Sequence, residues 1–270
     1  MSNFIIEQRN NIWYGSFPLL SKLGFINACS CRLHGESMLA EGMLNLALHV
    51  GDDADKVLAN RRTFAAAIGV QAQRFTTCRQ VHGSKIVRIT EDLAGSGALC
   101  LDDTIAETDA LITDLPDVPL LLLFADCVPV LLADIKSGAI GLAHAGWRGT
   151  VAGIAAKTAA AMMEQFKSRP ENIIAAIGPS IGACCYEVDD FVYSQADAYK
   201  DCFVPFGKGK YHMDLWAINK KQLLAQGLVE KNIITAGVCT EHNKELFCSY
   251  RAEHGKTGRM GVCLCRPAKV

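Results

Sequence analysis

The 270-residue sequence has no excess of either charge, because 27 lysines and arginines stand against 28 acidic residues and the formal net charge is −1. This balance excludes the basic surface of nucleic-acid-binding proteins and gives no attraction to anionic membranes. Long hydrophobic runs are also missing, since the longest, residues 118–133, is interrupted by Asp126 and Pro129 and is too short to cross a bilayer. No signal-peptide pattern opens the sequence. We therefore expect a soluble, cytoplasmic protein with no nucleic-acid or membrane partner.

The 12 cysteines include no Cys-x-x-Cys pair, and the 7 histidines include no His-x-His pair. A chain of this length without a secretory signal does not need a disulfide framework. Most of the cysteines are therefore expected to be reduced and buried as small hydrophobic residues.

Low-complexity segments, repeats and Pro- or Ser-rich linkers are absent, so we predict a single domain over residues 1–270. Apolar periodicity predicts a helix between Asp53 and Gly69, a helix after a Thr150 cap, and a helix after an Asp214 cap that Gly227 closes. Strand patterns cover residues 3–7, 26–32, 84–90, 109–114, 119–134, 137–146, 172–182, 233–240 and 259–266. Sheets covered by helices are the expected architecture.

A short polar turn containing glycine separates residues 119–134 from residues 137–146, which is typical of a hairpin. Centring the turn between Lys136 and Ser137 places residue 129 opposite residue 144. Cys127 and His144 then become diagonal neighbours on one face, about 7–8 Å apart at the backbone. Their side chains converge.

A thiol beside an imidazole suits either a zinc ligand pair or a nucleophile and its base. His82, in a QVHG segment that precedes a strand, is the third candidate ligand. Three protein ligands leave one zinc position open, as catalytic zinc sites do, whereas a structural zinc requires a fourth ligand. A structural, hydrogen-bonded histidine is the competing interpretation for each imidazole.

Two further residues near this pair carry charge. Asp126 either orients a neighbour or a substrate hydroxyl, or it is a buried carboxylate paired with an arginine. Arg148, beside two glycines at a helix start, binds an anion such as phosphate or forms a surface salt bridge. Trp147 either stacks on a planar base or packs in the core, and the core position is expected. Gly146 and Gly149 are expected to allow a tight turn into the following helix.

Seven collinear motifs resemble the laccase-domain (YfiH-like) family: RQVHG, DALIT, ADCVPVLLAD, AHAGWRGT, AIGPSIGACCYEV, DLWAINKKQL and FCSYRAEHGKTGR. Members were first named multicopper polyphenol oxidases and are now regarded as purine nucleoside phosphorylases with adenosine deaminase and methylthioadenosine phosphorylase activity. The resemblance implies an α+β fold, an α–β–β–α sandwich of mixed sheets like the catalytic domain of cytotoxic necrotizing factor. It also implies one zinc ion (Zn²⁺) held by His82, Cys127 and His144.

For this chain the resemblance implies a zinc-dependent phosphorylase of adenosine, inosine, guanosine and methylthioadenosine that also deaminates adenosine. Its partners are a purine nucleoside and phosphate, in a monomer or homodimer. We predict catalytic roles for Cys127, His144, Asp126 and Arg148. Arg32, Asn45 and Arg259 are the predicted substrate-binding residues.

Two segments depart from the family pattern. His34 and Glu36 stand in a loop that usually reads Gly-Gly-Val-Ser, which would alter base or ribose preference if the loop borders the substrate. Ala252 stands where a second arginine is usual in the closing motif.

Three alternatives stay open at this point. Copper favours nitrogen and sulfur ligands and would compete for the single site in vitro, but a laccase-like polyphenol oxidase with a full multicopper centre needs more histidines. A hydrolase that uses Cys127 as its nucleophile needs no metal. In a non-enzymatic protein, zinc would hold the fold together and its removal would unfold the chain.

Overall fold

The computed structural model describes residues 2–40 and 42–268. Six α-helices are named α1 to α6 in chain order: Pro18–Lys22, Ala54–Ile68, Trp147–Val151, Ile154–Phe166, Asp190–Gln195 and Leu215–Ala225. Fourteen strands are named β1 to β14: Ile5–Arg9, Ile12–Ser16, Ile26–Ser30, Ile86–Arg88, Ala110–Thr113, Leu120–Phe124, Val128–Asp134, Ile140–Ala145, Ile173–Ile177, Glu187–Asp189, Phe203–Gly207, Lys210–Met213, Ile233–Thr235 and Met260–Cys265. Among these residues, no helix has both the length and the apolar character needed to cross a membrane.

The strands form three sheets. One has the order β1-β2-β3-β14-β6 and is antiparallel throughout. The second has the order β13-β9-β7-β8-β5-β4, and it is mixed because β13 runs parallel to β9 and β4 runs parallel to β5. A small antiparallel sheet, β10-β12-β11, lies outside these two.

Side-chain alternation along the buried strands builds three apolar layers. Leu122 of β6 and Leu131 of β7 share the cluster between the two large sheets. Leu121 points the other way and joins the cluster that contains Phe64 of α2. Val130 points away from the central layer and packs with residues of α4 and α6, such as Met162. The layer order is helix, sheet, sheet, helix, which confirms the predicted α–β–β–α sandwich.

The predicted hairpin is correct in its register. β7 pairs with β8 so that Pro129 faces His144 and Val128 faces Ala145. The prediction of one strand over residues 119–134 is wrong, because β6 and β7 belong to different large sheets. Asp126 adopts a left-handed backbone with φ of 81°, which ends the extended run. Cys127 therefore lies in a bend between the sheets.

The helix predicted after Asp53 is confirmed as α2, with the Asp53 carboxylate accepting the Lys56 N–H at 3.1 Å and Gly69 closing the helix at φ 79°. The predicted cap at Thr150 is wrong. Thr150 lies within the short helix α3, and α4 begins after Gly153, whose φ of 80° separates the two helices. The Thr150 hydroxyl instead accepts a hydrogen bond from Asn219 of α6 at 3.1 Å. The residue thus fastens α3 to α6.

Candidate metal centre

Three different elements bring the predicted ligands together. His82 lies in a bend before β4 with φ of 60°, Cys127 lies in the bend between β6 and β7, and His144 is near the end of β8. One donor atom from each side chain lies within 4.8 Å of the others. The two imidazole rings meet edge to face with centroids 4.9 Å apart. One sulfur and two ring nitrogens therefore surround a common point.

The neighbouring side chains shift the pKa values of Cys127 and His144. Burial alone raises the pKa of Cys127, but the charges and hydrogen bonds of His144 and His82 lower it to about 6. Burial lowers the pKa of His144, but Cys127 and Asp109 raise it to about 9. Without a metal, the site favours a thiolate beside an imidazolium. The same thiolate is the form that binds zinc.

Asp109 is a site residue that the sequence analysis did not identify. Its carboxylate is fully buried and lies 2.8 Å from Nδ1 of His144. It also accepts backbone N–H groups from Val81 at 3.2 Å, His82 at 2.9 Å and Gly83 at 2.7 Å. The carboxylate thus fixes the His82 loop and holds His144 with Nε2 free. Its only sequence signal is an acid directly before a buried strand.

Asp126 is buried and holds two other loops to the site. Its carboxylate accepts the Thr240 hydroxyl at 2.6 Å and the Arg251 backbone N–H at 2.7 Å. The predicted pairing with an arginine therefore involves the Arg251 main chain, not its guanidinium. Asp126 also borders the cavity described next, and its catalytic role stays a prediction.

The three predicted ligands line a cavity of about 460 Å³. Three arginines line it, of which Arg148 and Arg259 were predicted to bind substrate or anion and Arg251 was not. Its full lining is His49, Gln80, His82, Leu123, Ala125, Asp126, Cys127, His144, Trp147, Arg148, Ile181, Tyr186, Leu215, Tyr250, Arg251 and Arg259. The single carboxylate in this wall is already hydrogen-bonded, so the cavity favours an anion.

Each cavity arginine lies near an aromatic ring. The Arg148 guanidinium carbon is 4.3 Å from the Trp147 ring centre, and that of Arg259 is 5.6 Å from the Tyr250 ring centre. Arg251 lies 5.3 Å from the Tyr186 ring and donates to the Glu187 carbonyl at 3.0 Å. Trp147 is half-buried, between core and cavity, rather than fully in the core.

The other predicted substrate-binding residues lie outside the cavity wall. Arg32 pairs with Glu253 at 2.8 Å. Asn45 is fully buried, and its carbonyl oxygen accepts the Arg259 backbone N–H at 2.9 Å. Asn45 therefore positions an arginine of the cavity. Direct contact of Arg32 or Asn45 with substrate stays a prediction.

The loop that departs from the family pattern also lies outside the wall. His34 and Glu36 are exposed, and Glu36 forms an ion pair with Lys56 of α2 at 3.2 Å. The consequence expected for a loop at the substrate does not follow from this position.

The expected tight turn is present, because β8 ends at Ala145 and α3 begins at Trp147. Gly146 is required there for space and not for an unusual backbone angle. Its φ of −66° is open to any residue. A Cβ atom there would lie 2.9 Å from Cδ2 of His82 and 3.1 Å from the sulfur of Cys127. Glycine thus lets β8 pass close to both other ligands.

The fold and these side chains define an α+β protein with a candidate Cys/His metal site and an arginine-lined cavity. A family model described as multi-copper polyphenol oxidoreductase laccase matches residues 26–266. The chain belongs to this laccase family, as its motifs predicted.

Curated relatives are similar over most of their length. A purine nucleoside phosphorylase YlmD of Geobacillus stearothermophilus is 38% identical over 88% of this chain and 88% of the relative. An adenosine deaminase RL5 from an unknown prokaryotic organism is 35% identical over 80% of this chain and 84% of the relative. The names of these relatives confirm the prediction of an enzyme.

A solved structure supports the same fold. The crystal structure of YlmD from Geobacillus stearothermophilus superposes with a TM-score of 0.94 at 35% sequence identity, covering 99% of this chain and 100% of that one.

Proposed function

We propose that the chain is a zinc-dependent purine nucleoside phosphorylase that acts on adenosine, inosine, guanosine and methylthioadenosine and also deaminates adenosine. One observation carries the proposal: a cysteine sulfur and two imidazoles meet in the wall of a cavity that three arginines also line. The names of the relatives, phosphorylase in one case and deaminase in the other, support the two reactions.

The donor set fits one zinc ion. Sulfur and imidazole nitrogen are zinc ligands, and three of them leave a position for a substrate atom. Asp109 contributes the outer hydrogen bond that metal-binding histidines usually make, since it accepts from Nδ1 of His144 and leaves Nε2 for the ion. A bound zinc supplies Lewis acidity, which polarises a ligand oxygen and favours the ionisation of water.

We assign phosphate binding to the cavity arginines. Among residues 2–40 and 42–268, Arg148 has no carboxylate within 4.0 Å, so its guanidinium is available to an anion. Burial lowers the pKa of Arg259, and the group is held by the carbonyls of Thr257 at 2.8 Å and Gly258 at 3.0 Å. In phosphorolysis, a phosphate held by these groups would attack C1′ of the ribose as the bond from C1′ to the purine nitrogen breaks and the purine leaves.

The rest of the wall suits a purine. Trp147, Tyr186 and Tyr250 offer aromatic faces, and Leu123 and Ile181 add apolar surface. Planar heterocycles bind well between such side chains.

The ligand set is tested with adenosine in the presence and absence of phosphate, with products separated by chromatography and metal measured on the same sample. We expect Cys127→Ala, His82→Ala and His144→Ala each to abolish phosphate-dependent adenine release while the circular dichroism spectrum stays native. Cys100→Ala, at an exposed cysteine outside the cavity, is the control and should keep full activity. Normal adenine release by any of the three ligand variants would refute the proposal.

Arg148→Ala is expected to raise the KM for phosphate about tenfold or more, because a charge-assisted hydrogen bond contributes about 1.5–3 kcal/mol. The KM for adenosine should change less. Arg62→Ala, at an exposed arginine of α2, is the matched control. An unchanged phosphate KM would remove Arg148 from this role.

A cysteine-dependent hydrolase is the second candidate, because the pKa of Cys127 is lowered to about 6 beside His144. That mechanism predicts full turnover in metal-free enzyme and its loss on alkylation of Cys127. Activity that disappears with a chelator and returns with Zn²⁺ would exclude it.

A further inference from the structure

A second group of cysteine and histidine side chains converges outside the arginine-lined cavity. Cys184, Cys185, Cys239 and His242 each place one donor atom within 4.8 Å of the other three. None of the four lines the cavity. The proposed reaction uses none of them.

The mixed sheet brings these residues together from two loops. Cys184 and Cys185 follow β9, and Cys239 and His242 follow β13, which is the parallel neighbour of β9. Carboxyl ends of parallel strands lie at the same edge of a sheet, so the loops leave it side by side. A bridge between Ser180 and Cys239 extends the pairing past the strands.

The four side chains differ in exposure, because Cys239 is buried whereas Cys184 and His242 are exposed. The Gly182 backbone N–H donates to the Cys239 sulfur at 3.3 Å, and that cysteine is buried. The Cys184 sulfur lies 3.7 Å from Nδ1 of His242, and both side chains are exposed. A backbone N–H on a sulfur stabilises its thiolate form. The exposed pair leaves a path for an ion from solvent.

We propose that these four residues bind a second zinc ion, in a structural site closed by three thiolates and one imidazole. Four protein ligands complete the tetrahedral shell that structural zinc sites adopt. Sulfurs on a tetrahedral zinc lie about 3.8 Å apart for Zn–S bonds of about 2.3 Å. The four donor atoms here lie within 4.8 Å of one another, which is slightly wider than that separation.

The position of the imidazole distinguishes this proposal from a disulfide. A disulfide joins two of the sulfurs and gives no function to the third or to His242. A metal ion uses all four donors and neutralises the thiolates. The spacing Cys239-x-x-His242 is also a short ligand spacing of the kind found in zinc sites.

The proposed ion would brace the wall of the cavity. Thr240, next to Cys239, donates to Asp126, and the Arg251 guanidinium donates to the Cys185 carbonyl at 3.4 Å. Tyr186, which lines the cavity, follows Cys185 directly. Fastening the two loops to one ion would fix the positions of these cavity residues.

Metal stoichiometry tests the site without any assay of turnover, so its outcome is independent of the proposed phosphorolysis. The full chain, reduced and chelator-treated, is incubated with Zn²⁺, freed of unbound metal by gel filtration and analysed for zinc per chain. We expect two equivalents in the wild type and one in Cys184→Ser, in His242→Ala and in Cys127→Ala. Cys100→Ser, at an exposed cysteine in neither group, should retain two.

The absorption spectrum of the Co²⁺-loaded protein tests which residues bind the metal. Cys127→Ala loaded with Co²⁺ should show the thiolate-to-cobalt charge-transfer and visible bands of a tetrahedral site with several sulfurs, and Cys127→Ala/His242→Ala should lose or shift them. His242 is exposed, so its replacement is compatible with folding. Either of two results would overturn the proposal. In the first, the wild type binds one zinc and Cys127→Ala binds none. In the second, Cys184→Ser and His242→Ala both still bind the second equivalent. An intact mass showing a disulfide among Cys184, Cys185 and Cys239 that persists after reduction would do the same.

Discussion

Replacing Asp109 by asparagine changes one atom of the side chain and tests how the site is held. One carboxylate oxygen of Asp109 lies 2.8 Å from Nδ1 of His144 and 2.9 Å from the His82 N–H. The other accepts the N–H groups of Val81 and Gly83. An asparagine has one oxygen and one NH₂ group, so in either orientation the NH₂ group faces N–H donors.

Both orientations damage the site, by different routes. With the NH₂ toward the loop, the partly buried backbone N–H groups of Val81 and Gly83 lose their acceptor, at up to about 1–3 kcal/mol each. With the NH₂ toward His144, the imidazole must present a bare Nδ1 and carry its proton on Nε2, the nitrogen that would bind zinc. We expect a stability loss of about 2–4 kcal/mol. Zinc affinity should fall about 10- to 100-fold.

Urea unfolding of the metal-free protein measures the first quantity, and competition with a chelator measures the second. Asp114→Asn is the matched control, because Asp114 forms only a half-exposed pair with Arg88 at 3.3 Å. It should change stability by less than about 1 kcal/mol. Native stability together with native zinc affinity in Asp109→Asn would refute the role assigned to this carboxylate.

Two further predictions follow from close packing and from charge. Gly146→Ala should weaken zinc binding and lower kcat/KM, because the new methyl group would lie 2.9 Å from a ring carbon of His82; zinc titration and steady-state kinetics measure both. Burial raises the pKa of Asp52, but hydrogen bonds from Ser37 and Asn45 outweigh it and lower that pKa. The stabilisation is therefore present above about pH 3.9 and is lost as the pH falls through the lowered pKa, so acid unfolding should be less steep in Asp52→Asn.

Control variants separate these effects from a general loss of stability. Gly207→Ala adds a methyl group whose nearest neighbour, Cβ of Lys210, lies 3.9 Å away, and it should leave zinc binding unchanged. Asp53→Asn keeps a capping residue at the start of α2 and is the control for removing one carboxylate from this segment. Equal zinc affinity in Gly146→Ala, or identical acid profiles for Asp52→Asn and the wild type, would contradict the respective prediction.

Local sequence was sufficient for much of the fold. Residues 54–68 form the predicted helix because its period, its aspartate cap and its closing glycine act within the segment itself. The hairpin register follows from a polar turn between two apolar runs, and this register places Cys127 beside His144. The motifs identified the family and three side chains that the fold does bring together.

Other features depend on contacts between distant segments. The apolar run breaks at Asp126, whose backbone is left-handed. Its carboxylate accepts hydrogen bonds from Thr240 and from the Arg251 backbone, both more than a hundred residues away, and these contacts hold the bend. The position of Asp109 directly before a buried strand was a weak signal, because its partners are His144 of β8 and a loop at residues 81–83. The pairing of β9 with β13 likewise brings two cysteine-containing loops together.

Local sequence was enough to predict helix α2, the hairpin and the three side chains of the candidate metal site, because periodicity, capping and turn chemistry act over a few residues. Only the tertiary structure decided which carboxylate orients His144, which arginines face the cavity and that a second set of thiols meets an imidazole. Those arrangements arise when buried polar groups from remote segments find their hydrogen-bond partners, and no local pattern records that choice.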